Sequence, residues 1–147
     1  IDLGCGTGLS GLALSEAGYR SIDGCDFSSE MLEKAAARGI YRKLFPANLN
    51  KPRLDIASAY YRAALAIGVF SYGHVSPDAL DEFLRILQPG GALIIGVNSH
   101  FHEEGSLTTR VDALAENKRL IVHAWEHGKH IPGADVDGWV LKASKAE

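Results

Sequence analysis

Apolar positions along the chain fall into short runs whose period switches between two and about three and a half residues, the signature of strands alternating with helices. Ile1–Leu3 reads as the end of a strand, and Gly4–Gly8 as a glycine turn. Leu9, Leu12, Ala13 and Glu16 recur at helical spacing, which predicts a helix over Leu9–Ala17 with Gly18 as its C-cap. Arg20–Cys25 is a short strand ending at Asp26. Ser28 or Ser29 then caps a helix over Glu30–Arg38, closed by Gly39. Tyr41–Phe45 reads as a third strand, Pro46–Pro52 as a turn-rich loop, and Leu54–Ala59 as a short helical segment.

The second half continues the alternation. Arg62–Val69 holds Ala63-Ala64-Leu65-Ala66-Ile67, an unbroken apolar run that suits a strand buried on both faces, although its alanines also allow a helix. A helix over Asp78–Leu87 follows, with Ser76 as N-cap and Pro77 at its first position. Gln88-Pro89-Gly90-Gly91 breaks the chain before a strand over Ala92–Val97, and Leu107–Glu116 reads as a helix. Leu120–Trp125 and Trp139–Ala143 pair as an antiparallel hairpin across a loop that holds Pro132, Gly133 and Gly138.

Strands that alternate with helices point to a parallel sheet covered on both faces. The expected fold is therefore α/β, doubly wound, with a mostly parallel sheet and a C-terminal antiparallel hairpin. No internal repeat or second domain is visible, so residues 1–147 read as one domain. A strand usually has about five or six residues, so the first one reads as truncated, with covering helices expected upstream of Ile1.

Composition narrows the function. With 147 residues and 46% hydrophobic content, the chain is long enough for a single core. A net charge of -3, with basic residues scattered, carries no electrostatic footprint for nucleic acid or anionic lipid. No apolar stretch approaches the roughly 20 residues needed to span a bilayer. Two cysteines, Cys5 and Cys25, make no disulfide framework and favour a reducing, cytoplasmic setting.

The chemistry concentrates in Asp2-Leu3-Gly4-Cys5-Gly6-Thr7-Gly8. Alternate glycines let the backbone turn tightly and approach a bound molecule, and the helix that follows turns free amides toward the same crevice. Asp2 puts a carboxylate at the strand end, where it would repel a pyrophosphate and attract a cationic group. Asp26 ends the next strand, 24 residues on, one strand-helix-strand unit away. An acid there accepts hydrogen bonds from ribose hydroxyls.

On these residues the chain closely resembles the class I, Rossmann-like S-adenosylmethionine-dependent methyltransferase family. Asp2–Gly8 is similar to the family's first motif, and Asp26-Phe27-Ser28-Ser29-Glu30-Met31-Leu32 to its ribose-binding segment. Ala47-Asn48-Leu49 lies where the family commonly has an acidic and an apolar residue beside adenine, and Gly68-Val69-Phe70 resembles the strand end bordering the methyl-transfer pocket. Leu84–Leu93 and the terminal hairpin match the family's later elements, so the resemblance runs in order along almost the whole chain. It implies a seven-stranded sheet and S-adenosylmethionine as cofactor, held by Asp2, Gly4, Cys5, Gly6, Gly8, Asp26, Phe27, Met31, Asn48, Leu49 and Gly68. The implied reaction moves a methyl group in line from the sulfonium to an oxygen, nitrogen, carbon or sulfur of a small-molecule acceptor. The donor is already activated, so alignment supplies much of the rate and a dedicated base is needed only for a protonated nucleophile of high pKa. Asn48 departs from the family's acidic residue, but its amide still offers a donor and an acceptor to adenine.

Other readings stand beside this one. Gly6-Thr7-Gly8-Leu9-Ser10-Gly11 also satisfies the dinucleotide pattern of a nicotinamide-dependent dehydrogenase. A cofactor-binding domain without catalysis is a further alternative. His74, in Ser71-Tyr72-Gly73-His74 after the pocket-bordering strand, is either a loop residue or a catalytic candidate. His100, His102, His123, His127 and His130 lack metal-site spacing and read as exposed or packed side chains, so no metal is assigned. Cys5 contributes its backbone to the turn, Trp125 and Trp139 pack the hairpin on the sheet, and Glu103-Glu104 reads as a solvated loop. Gly6→Val is expected to abolish cofactor binding while circular dichroism stays unchanged, because a side chain there both strains the backbone and fills the ligand's space. Normal binding by that variant would move the ligand elsewhere.

Overall fold

The computed structural model describes residues 1–71, 73–129 and 137–147. Tyr72, His130, Pro132 and Gly133 lie outside the described residues. Seven strands, β1 (Asp2–Leu3), β2 (Asp23–Asp26), β3 (Lys43–Pro46), β4 (Tyr61–Ile67), β5 (Leu87–Asn98), β6 (Leu120–Lys129) and β7 (Asp137–Lys145), form one sheet in the order β3-β2-β1-β4-β5-β7-β6. The first five run parallel, while β7 is antiparallel to both β5 and β6. The helices are α1 (Leu9–Glu16), α2 (Ser29–Ala36), α3 (Leu80–Ile86), α4 (Ser99–Glu104) and α5 (Ser106–Glu116). This is the expected doubly wound α/β fold.

The strand order dictates where the helices go. From β1 to β3 the chain steps one way across the sheet, and from β4 to β5 it steps the other way. Right-handed crossovers then put α1 and α2 on one face and α3 on the opposite one. The reversal between β1 and β4 opens a crevice at the carboxyl ends of the strands, the usual ligand position in such sheets.

The main core lies on the α3 and α5 face. Ala64 and Ala66 of β4, Leu93, Ile95 and Val97 of β5, and Leu141 and Ala143 of β7 point into it. They meet Leu80, Phe83 and Leu84 of α3 and Leu107, Val111 and Leu114 of α5. The alternate residues, Leu65, Ile67 and Ile94, face the other side and stay partly exposed. The alanine-rich run is therefore a strand with one deeply buried face. Its neighbours in the sheet, not its propensity, decide it.

Local chemistry sets the helix ends. The Ser28 side chain accepts the Met31 amide to start α2, and Ser76 accepts the Asp78 amide to start a 3-10 turn over Pro77–Ala79 that leads into α3. The Asn98 side chain accepts the Phe101 amide and starts α4. That helix was not anticipated, and it turns Glu103-Glu104 from an expected loop into exposed helix.

Two further expectations are corrected. Leu54–Ala59 is not helical: the Leu54 amide donates to Glu82 Oε2 at 3.0 Å, and Ala59 has a φ of 54°. Gln88–Gly91 does not interrupt the strand but bulges out of it. The pairing jumps from Tyr61 with Leu87 to Ala63 with Ala92, so β5 starts five residues earlier than expected. A smaller bulge at His123 separates the Val122–Ala143 pair from the Ala124–Lys142 pair on edge strand β6.

Trp125 and Trp139 do bracket a side chain. His102 of α4 stacks on Trp139 with ring centroids 4.5 Å apart and meets Trp125 edge-on at 4.9 Å. His123 pairs with Ser144 Oγ at 2.8 Å, and among the described residues no cluster of three or more His, Cys, Asp or Glu can hold a metal.

Glu82 holds the loop before β4. Its carboxylate takes the Leu54 amide and pairs with Arg85, whose guanidinium also reaches Leu54 O at 3.2 Å and Ser58 Oγ at 3.0 Å. Burial pushes the Glu82 carboxyl up, but the Arg85 bonds and the Leu54 amide outweigh it and hold it below the usual glutamate range. A carboxyl lowered on folding stabilises at neutral pH, and that stabilisation disappears as the pH falls through its folded-state value. Glu82→Ala takes the carboxylate from the half-buried Arg85 guanidinium and leaves the Leu54 amide without its acceptor, and is expected to cost about 1.5–3 kcal/mol in urea unfolding at pH 7. The difference from the parent is expected to shrink as the pH falls below the usual glutamate range and to vanish only below the lowered folded-state value.

Candidate cofactor-binding site

The glycine turn crosses the carboxyl ends of β1 and β2 and is pinned from several sides. The Cys5 amide donates to Cys25 O at 2.9 Å, and the Gly8 amide to Cys5 O at 2.9 Å. The Gly6 amide donates to Asp26 Oδ2 at 2.9 Å, while Asp26 Oδ1 accepts the Ser28 amide at 2.9 Å. Asp26 is thus tied to the turn in the fold itself, and the lone pairs these bonds leave remain available to hydroxyl donors.

Each glycine has its own reason. Gly6 has a φ of 53°, and a Cβ on it would meet no protein atom within 4 Å, so it borders open space. A Cβ on Gly68 would likewise meet nothing. These two positions belong to adjacent strand ends, β1 and β4, and together leave the room a bound molecule needs. Gly4 is different. A Cβ there would lie 2.3 Å from Val69 Cγ1, so this glycine serves close packing of the turn against the end of β4.

Three of the residues expected to hold the cofactor share a cleft with His74. Phe27, Asn48, Leu49 and His74 line one cleft of about 370 Å³. Phe27 is 79% exposed, an apolar ring left open at the mouth of that cleft. A larger cleft of about 820 Å³ shares Leu49, His74 and Val75 with it and extends toward Phe101 and Ser106. Asn50 fixes the loop between them: its Nδ2 donates to His74 O at 2.7 Å, and its Oδ1 accepts the Ser76 amide at 2.8 Å. Met31 is half-buried in the first turn of α2, one turn from Asp26.

Two residues sit differently from expectation or settle an open one. Asp2 does not face the open crevice. It is 1% exposed, and its Oδ2 accepts the Tyr41 hydroxyl at 2.7 Å. Burial pushes its carboxyl above the usual aspartate range, partly offset by Tyr41. Cys5 is buried, and burial beside Asp2 and Asp26 pushes its thiol up to about 12, which leaves little thiolate for nucleophilic work. Cys5 and Cys25 are both free.

Residues 1–91 match the family described as "Methyltransferase domain", and the chain belongs to that family. A curated relative, Methyltransferase-like protein 27 of Homo sapiens, is 31% identical over 119 residues, covering 79% of this chain and 48% of that protein. The chain thus spans about half the length of the curated relative it matches. A solved SAM-dependent methyltransferase from Methanosarcina mazei superposes with a TM-score of 0.75 at 17% identity, covering 99% of this chain and 91% of that one. Geranyl diphosphate C-methyltransferase from Streptomyces coelicolor A3(2), solved with S-adenosyl-L-homocysteine, superposes at 0.72 and 16% identity, covering 99% and 72%. The fold is that of the class I S-adenosylmethionine-dependent methyltransferases, and S-adenosylmethionine is the cofactor of that class.

The residues present suit that cofactor. Open space at Gly6 and Gly68, a carboxylate at Asp26 and an amide at Asn48 match a molecule with a ribose diol and an adenine edge. The dehydrogenase reading loses its support. Gly11, third in the dinucleotide pattern, is filled by the Tyr41 hydroxyl rather than by helix–strand contact. Asp26→Ala is expected to weaken S-adenosylhomocysteine binding by about 1.5–3 kcal/mol, the range for hydrogen bonds to charged groups. Unchanged affinity by calorimetry would remove Asp26 from the site.

Proposed function

We propose that this chain transfers a methyl group from S-adenosylmethionine to a small-molecule acceptor. The observation that carries the reading is the crevice at the β1–β4 switch, where Gly6 and Gly68 border open space and the half-buried Asp26 carboxylate accepts the Gly6 amide. Bound there, S-adenosylmethionine supplies an activated methyl on a sulfonium. The protein supplies position. Asp26 accepts from the ribose hydroxyls, the Asn48 amide meets the adenine edge, and Phe27 and Leu49 cover its faces. Met31 borders the same side, while Gly4, Cys5 and Gly8 shape the turn and Asp2 supports it from beneath.

The acceptor enters through the 820 Å³ cleft, whose size suits a small molecule. His74 stands on the rim shared by both clefts and is the candidate to take a proton from an acceptor that arrives protonated. A net charge of -3 argues for a small acceptor over nucleic acid. Among the described residues no helix is long and apolar enough to cross a membrane. Two free, buried cysteines agree with a cytoplasmic setting. Residues 1–147 form the cofactor-binding core domain of the protein.

Calorimetric titration with S-adenosylhomocysteine and with nicotinamide dinucleotides is the first test. Saturable binding of the former and none of the latter is expected. A labelled methyl donor offered with a panel of small molecules and with bulk RNA and protein is the second. Label is expected in a small molecule, and label only in a macromolecule would overturn the acceptor class.

A further inference from the structure

One side chain beside the glycine turn serves several elements at once. Tyr41 lies between α2 and β3 and is half-buried. Three glycines leave room for its ring. A Cβ on Gly11 would come within 2.2 Å of its hydroxyl oxygen, one on Gly24 within 2.8 Å of Cε1, and one on Gly8 within 3.1 Å of Cε2. These three positions lie on α1, β2 and the end of the turn, so one ring fills a slot built from three elements.

At the bottom of the slot the hydroxyl donates to Asp2 Oδ2 at 2.7 Å. Asp2 is the last residue but one before the turn and is closed to solvent, so few other donors reach it. Arg38 adds a second tie from the same side. Its Nε donates to Thr7 O at 2.6 Å, and its Cδ packs where a Gly8 side chain would be. The turn is therefore held at Asp2 and Thr7 from outside and at Gly6 from the crevice.

We propose that Tyr41 and Arg38 are positioning residues for the cofactor, Tyr41 acting through Asp2. They brace the glycine turn in the shape in which Gly6 borders the crevice. The inference rests on the reading of that crevice as the S-adenosylmethionine site. Both residues act on the turn itself, and the slot is cut in glycines because only an absent side chain admits the ring.

The test is calorimetric binding of S-adenosylhomocysteine to the parent, Tyr41→Phe, Asp2→Asn, the double variant and Arg38→Ala, each with its melting temperature. Tyr41→Phe keeps the ring and removes one bond to a buried carboxylate, so about a tenfold loss of affinity is expected. Asp2→Asn should lose a similar amount, and the double variant little more, because two residues in one interaction do not add. A bond that serves stability alone predicts a lower melting temperature with unchanged affinity in the folded protein, and a ring that only fills space leaves both unchanged; either outcome would overturn the proposal. Additive losses would overturn the route through Asp2. Should Tyr41→Phe fail to fold, exposed Arg38→Ala decides: weaker binding by about threefold supports the brace, and parental affinity overturns it. A parent that binds no S-adenosylhomocysteine sinks the cofactor reading itself, whereas normal parental binding with unaffected variants sinks the brace alone.

Discussion

Asp26 accepts the Gly6 amide on one oxygen and the Ser28 amide on the other, and these two bonds join the glycine turn to the loop that starts α2. Backbone amides at a turn need acceptors, and here a single carboxylate serves two of them. In the function proposed above, the same group accepts the ribose hydroxyls. On that proposal the recognition residue is part of the scaffold, and its orientation is set by the fold before any ligand arrives. That is a preorganised site in the plain sense: little has to move, and little entropy is lost, when the ligand binds.

The two faces of the sheet divide the work. On the α3 and α5 face, buried aliphatic side chains from β4, β5 and β7 make the core. On the other, Asp2 at the end of β1 and Gly24 of β2 are covered by the Tyr41 ring, and the Arg38 guanidinium ties Thr7 of the turn. Hydrophobic burial stabilises the first face and hydrogen bonds with close packing shape the second. The crevice opens where the two regimes meet.

What the sequence made legible was local. The glycine turn, the acid at the end of β2, the caps at Ser28 and Ser76 and the strand periods depend on neighbours within a few residues, and all of these were readable. The misses depended on distant partners. Leu54–Ala59 has helical composition, yet Glu82, twenty-eight residues on, takes the Leu54 amide, and the segment bends and turns instead of coiling. Gln88-Pro89-Gly90-Gly91 looks like a chain break because pattern alone does not show that Tyr61 pairs with Leu87 ahead of the bulge. Asp2 was read as facing a ligand because a strand-end carboxylate next to glycines does so in the resembling family, whereas the ring that covers it is thirty-nine residues away. Asn50, which clamps the loop carrying His74, has no motif at all.

The bulge at His123 has a bearing beyond the hairpin. Strand β6 is ten residues long at the rim of the sheet, and Ile121 and Val122 are 48% and 37% exposed. A straight rim with such side chains is a template on which another chain can extend the ladder, the first step of aggregation. The extra residue at His123 kinks the strand directly after that apolar pair, and Glu126 and Lys129 charge the rest of its length. A rim bent at its greasiest point offers no register long enough to copy. The same irregularity that shortens the ladder by one rung keeps the molecule from lending its edge to its neighbours.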